Sequence, residues 1–138
     1  MASLTICEEA DHELDSLYDE REDDAALIDV LLQELSADEG ALESLWRDTP
    51  KWEWRFKPPY EVKRFGECWK RGKRIYILKV YDLEGHLCDY RVIVGHDPAT
   101  DDYVVLATPH RDFNYEPTSP EFADILARYD RSGLTSSK

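Results

Sequence analysis

The sequence predicts an α+β domain: an N-terminal strand and a two-helix hairpin packed on a twisted antiparallel sheet of about four strands, plus a C-terminal helix. Three observations predict it. Two apolar stripes at helical spacing follow one another early in the chain. Three β-branched and aromatic segments crowd between residues 74 and 108. A well-capped amphipathic segment begins at Ser119. A length of 138 residues suits one domain, expected over 1–132, with the polar end at 133–138 fraying as a flexible tail.

Residues 3–7 (SLTIC) are short and β-prone and predict the first strand. Ala10, Leu14, Leu17 and Tyr18 then share one helical face. The acidic run at 21–24 interrupts that pattern, and Asp23 or Asp24 is expected to cap the second helix. In that helix Leu27, Val30, Leu31 and Leu35 fall on one face, widened by Ile28 and Leu32. A short turn is expected at 41–46. Strict alternation of Trp52, Trp54 and Phe56 with Glu53 and Arg55 predicts a strand ending at Pro58 and Pro59. The stretch 61–74 is a basic centre broken by Gly66 and Gly72. Strands are expected over 74–81, 89–95 and 103–108, joined by turn-like segments as an antiparallel meander. The last helix has Ser119 as cap, Pro120 in its first position, a stripe of Phe122, Ile125, Leu126 and Tyr129, and Gly133 beyond its end.

The net charge of −13 disfavours a protein that coats nucleic acid at large. Its distribution is uneven. Residues 1–45 hold 15 acids and one base, Arg21, whereas residues 46–95 hold 12 bases and seven acids. The middle of the chain is therefore cationic, and Lys70, Arg71, Lys73 and Arg74 are its candidate RNA-binding residues. No apolar run approaches the roughly 20 residues of a membrane helix, and the start lacks the basic-then-apolar pattern of a secretory leader. Cys7, Cys68 and Cys88 form no CxxC pair, which argues against a disulfide framework or zinc knuckle and favours a reducing cytoplasm. His86 and Cys88 alone are too few for a metal site. Phosphate-loop, serine-hydrolase and zinc-protease motifs are absent. No cofactor and no metal are expected.

What remains is a set of polar residues at marked places on the predicted sheet. Lys79 lies in one strand and Arg91 in the next; Arg111 follows the third, with His110 before it and Tyr115 four residues on. Singly, each is an ordinary strand or loop residue. Jointly, Arg supplies a planar fork for phosphate oxygens, Lys a compact charge, and a phenol or imidazole a proton route. That set suits metal-free RNA cleavage by the 2′-hydroxyl next to the scissile phosphate.

The stretch RIYILKVYDLEGHLCDYRVIVGHDPATDDYVVLATPHRDFNY (74–115), with the A…EL..LY rhythm of the first helix, resembles the RelE/ParE toxin superfamily of bacterial toxin–antitoxin systems. The resemblance covers most of the chain through short motifs. It implies a type II toxin that cuts mRNA in the ribosomal A site. Lys79 matches a catalytic strand lysine, Arg91 the strand-opening arginine and Arg111 the arginine after the last strand. Tyr115 matches the C-terminal tyrosine that acts as base, with His110 a rival because the spacing to Arg111 is short. Ile77 stands where the family carries a second lysine. Implied partners are a cognate antitoxin protein, the ribosome and mRNA, with no membrane and no direct DNA-specific contact. Two alternatives stay open: a ParE-like toxin that binds DNA gyrase without nuclease activity, and an acidic protein-interaction module led by the N-terminal third.

Overall fold

The structure, a computed structural model, describes residues 3–38, 40, 60–82, 84–113 and 115–134. Its elements are β1 (Ser3–Ile6), α1 (Glu8–Glu20), α2 (Glu22–Ala37), β2 (Tyr60–Arg64), the short α3 (Gly66–Lys70), β3 (Ile75–Tyr81), β4 (Leu87–Asp97), β5 (Asp102–Ala107) and α4 (Pro120–Arg131). The class is α+β, as the periodicities predict. None of the described helices is long and apolar enough to cross a membrane.

The sheet differs from the expected one in two ways. It has five strands in the order β1-β5-β4-β3-β2, and it is mixed: β1 runs parallel to β5 while the other pairs are antiparallel. Between Ile6 and Tyr60 the chain passes from one edge of the sheet to the other, so β1 joins the meander at its far side. The additional strand is β2, inside the stretch read as a basic centre. Tyr60 and Val62 alone mark its inner face, too short a pattern to be legible; pairing with β3 makes it a strand. The strand expected at 52–56 and the turn at 41–46 lie outside the described residues. Gly72, with φ of 79°, takes the left-handed turn that ends α3 and returns the chain to β3.

One sheet face packs on the helix pair. α1 buries Ala10, Leu14 and Leu17; Tyr18 instead lies at its margin, its hydroxyl donating to Asp29 of α2 at 2.7 Å. α2 buries Ala25, Ile28, Leu31, Leu32 and Leu35, leaving Val30 52% exposed. This stripe is rotated from the expected one, because Leu27 to Leu32 are apolar almost all round the helix and packing chooses the face. Arg21, not Asp23 or Asp24, occupies the cap position; those two acids and Glu22 sit in the first turn, where the helix dipole favours them.

The other sheet face receives α4, so helices cover both faces. Ser119 Oγ accepts from Phe122 N at 3.1 Å, and Phe122, Ile125 and Tyr129 are buried against Ile75, Ile93 and Leu106. Arg128 ties this helix across the C-terminal end of β5: it donates to the Leu106 carbonyl at 2.8 Å and pairs with Glu13 of α1 at 2.7 Å. Glu13 in turn accepts from Thr108 N at 2.9 Å. Leu134 closes the end of this layer, so packing extends two residues past the boundary expected at 132.

Candidate active site

Alternation along the strands sorts the polar residues. On β3, Tyr76, Leu78 and Val80 face the helix pair, while Ile75, Ile77, Lys79 and Tyr81 point to the α4 side. On β2 the same side carries Glu61 and Lys63, and on β4 it carries Arg91 and Ile93. Register then sets three residues in a row across adjacent strands, since Glu61 pairs with Lys79 and Lys79 with Arg91. Directly opposed residues have Cβ atoms about 4.5–5.5 Å apart. The three side chains therefore leave the sheet from neighbouring positions, and no ion pair joins Glu61 to Lys79 among the described residues.

Each member has a distinct attachment. The Tyr81 hydroxyl donates to Glu61 Oε1. Burial, then this bond, pushes the Tyr81 phenol up to about 12. The ammonium of Lys79, which is half-buried, makes no hydrogen bond or ion pair among the described residues. Arg91 Nη1 donates to the Cys88 carbonyl at 2.8 Å and meets the Tyr90 carbonyl at 3.5 Å. The β3–β4 register shifts between Lys79 and Tyr81, and Arg91 serves carbonyls within that irregular stretch.

The ladder continues past β5: Arg91 N donates to Pro109 O at 2.8 Å and Arg111 N to Asp89 O at 2.7 Å. This places Arg111 on the side of Arg91 and Asp89. Its guanidinium pairs with the Asp89 carboxylate at 3.4 Å, and Arg21 reaches the same carboxylate at 3.1 Å. The Arg21 hydrogen bond, helped by the charge of Arg111, holds Asp89 below the usual carboxylate range. His110 pairs instead with Tyr90, ring centroids 5.2 Å apart, on the face of the helix pair. The structure thus separates His110 from the row, because one residue along a strand reverses the side-chain direction.

Tyr115 joins the α4 side. Its ring meets Phe65 edge-on at 5.3 Å and Phe113 at 4.7 Å. Burial pushes its phenol up, while the nearby charge of Arg91 acts the other way. The shift favours the protonated phenol, whereas the base role that the resemblance implied would use the phenolate.

The four candidate RNA-binding residues lie at the other end of β3, roughly 13 Å along the strand from Lys79 at 3.3 Å per residue. They do not form one groove. Lys70 pairs with Glu67 at 3.1 Å, and Lys73 with Asp130 of α4 at 2.6 Å. Arg71 lies over the Phe122 ring at 5.2 Å. Arg74 lies over Trp69 at 5.1 Å, with Arg64 over the same indole at 4.4 Å. Arg71 and Lys73 thus stay with α4, while Trp69 packs with the helix-pair layer. Burial pushes the Cys68 thiol up to about 12 and the Cys88 thiol up to about 11, which disfavours the reactive thiolate at both.

Sequence reasoning missed Glu61 and Tyr81. The single available signal was the alternation of Tyr60 and Val62 with Glu61 and Lys63, which becomes meaningful once β2 is known to pair with β3. No family model matches the chain, and neither the curated proteins nor the solved structures yield a match.

Proposed function

We propose that the protein is a metal-free endoribonuclease of the RelE/ParE toxin type, acting on ribosome-bound mRNA in the cytoplasm and restrained by an antitoxin. The observation that carries this reading is the cross-strand pairing of Lys79 with Arg91. An ammonium with no partner among the described residues, on the strand next to an arginine, suits the charge that develops on a phosphate under attack. Arg91 uses Nη1 on backbone carbonyls, which leaves Nε and Nη2 as donors. Tyr115, protonated at neutral pH, suits the leaving oxygen. The acidic helix pair covers the opposite sheet face, so much of the net charge of −13 is carried there.

A second reading has its own support. Arg91 serves the bulge and Arg111 pairs with Asp89, and both uses are structural. They favour a toxin of the same kind that binds a protein target such as gyrase.

Induced expression of wild type and Lys79→Met separates the two. Growth arrest with mRNA cuts that vanish in a normally folded Lys79→Met protein is the expected result. Arrest that persists in the variant, with DNA damage and intact mRNA, overturns the nuclease reading.

A further inference from the structure

We infer that a groove between α2 and the β3–β4 turn docks a basic, amphipathic segment of a partner protein. The groove encloses about 980 Å³, at the upper end of the roughly 300–1,000 Å³ that ligand pockets span. Part of its lining is apolar: Ala26, Leu27 and Val30. The rest is acidic, with Glu20, Glu22, Asp23 and Asp24 from the corner between α1 and α2 and Asp82 and Glu84 from the turn. Arg21 is the one base among the described lining residues, and it is engaged by Asp24 at 2.8 Å and Asp89 at 3.1 Å. None of these groups belongs to the row of Glu61, Lys79 and Arg91, so the inference does not rest on the nuclease reading.

The fold accounts for part of this lining. Glu22, Asp23 and Asp24 sit in the first turn of α2, where the helix dipole favours them. Asp82 holds the turn, accepting from Glu84 N at 2.9 Å and His86 N at 2.8 Å. Glu20 has no such reason. It ends α1, whose last turn holds no base, and a carboxylate there meets the negative end of the dipole. Val30 has none either. It is 52% exposed, more than any other large hydrophobic side chain among the described residues. A β-branched residue in mid-helix that faces water serves neither helix propensity nor the core. Leu27, one turn earlier and only partly buried, extends it into an apolar strip. Beside this strip the carboxylates of Glu20, Glu22 and Asp23 make no hydrogen bond or ion pair among the described residues.

Charge and apolar surface together choose the occupant. A segment with an aliphatic or aromatic anchor between lysines and arginines removes Leu27 and Val30 from water and neutralises the carboxylates around them. An acidic segment is repelled. A neutral apolar one would desolvate the carboxylates without compensating them. A metal ion is a poor match: no group of three His, Cys, Asp or Glu side chains able to hold one occurs among the described residues.

The test uses the full chain and a labelled synthetic peptide, with leucines at i, i+3, i+4 and i+7 interleaved with lysine and arginine. Fluorescence anisotropy is expected to show saturable binding that weakens as salt rises. Val30→Gln, which removes the apolar contact and no charge, should weaken it several-fold. Glu20→Gln/Glu22→Gln/Asp23→Asn should weaken it by about tenfold or more. Glu20→Gln alone should also weaken binding without lowering Tm, and it serves if the triple variant folds poorly. Asp15→Asn/Asp19→Asn removes two exposed acids of α1 that do not line the groove, and should leave affinity within about twofold. Equal weakening by that control, or equal binding of a peptide with the same residues scrambled, shows attraction to net charge alone and overturns the proposal. So does full affinity in Val30→Gln, or no binding at all. Salt-sensitive self-association that the groove variants abolish, without peptide binding, makes a second copy the occupant and overturns the partner assignment.

Discussion

The two faces of β3 are built differently. Toward the helix pair, Tyr76, Leu78 and Val80 are all 2% exposed or less. Toward α4 the character changes midway: Ile75 is fully buried, Ile77 half-buried, and Lys79 and Tyr81 follow. The cause is coverage. Two helices spread over the first face, whereas α4, 12 residues and so roughly 18 Å long, packs on the Ile75 end of the second. A strand face must be apolar where a helix covers it and is released from that demand beyond the helix. The polar row of Glu61, Lys79 and Arg91 begins where the α4 contacts end. The row is held on paired strands, with a packed core behind it.

The sharpest way to break this comparison is to truncate neighbours on opposite faces. Leu78→Ala removes a fully buried side chain and should cost about 2–5 kcal/mol in equilibrium unfolding. Lys79→Met, one residue on, should stay within about 0.5 kcal/mol. Equal losses would mean that the α4 face is as tightly packed at Lys79 as the helix-pair face is at Leu78.

A smaller effect probes the covered end of the same face. A Cβ at Gly95 would sit 2.7 Å from Leu134 Cδ1, 3.1 Å from Tyr129 Cδ2 and 3.2 Å from Leu106 Cδ1. Gly95→Ala should therefore cost about 1–3 kcal/mol by overpacking, read as a lower denaturation midpoint with an unchanged slope. A neutral substitution would show that α4 sits loosely on the sheet.

The smallest effect concerns the margin of the row. Asp89 has a folded-state pKa depressed by Arg21 and Arg111, so its contribution is present above the ordinary carboxylate range and is lost as pH falls through the lowered value. The melting-temperature gap between wild type and Asp89→Asn should be largest near neutrality and shrink in acid. A gap that persists unchanged well below the usual carboxylate range would show that the Asp89 ion pairs add nothing to stability.

How much of this was legible varied with how local the signal was. α4 was read correctly down to its cap, because Ser119, Pro120 and Gly133 act within one turn of the helix. β3, β4 and β5 were legible from composition and alternation. The rotation of α2 was not, since apolar residues surround much of that helix. β2 was missed for want of a long enough pattern, and Glu61 with it. His110 and Arg111 are adjacent in sequence yet point to opposite faces. Choosing between them required the pairing of Tyr90 with His110.

The sequence by itself determined the α+β class, the strands carrying Lys79 and Arg91, and the concentration of acid on the helix pair. Periodicity and charge are properties of neighbouring residues, so they are readable without contacts. Only the tertiary structure decided that Glu61, Lys79 and Arg91 form one row, that β1 runs parallel to β5, and that His110 stands apart. Register depends on hydrogen bonds and bulges between segments distant along the chain, and a shift of one residue exchanges the faces of a strand.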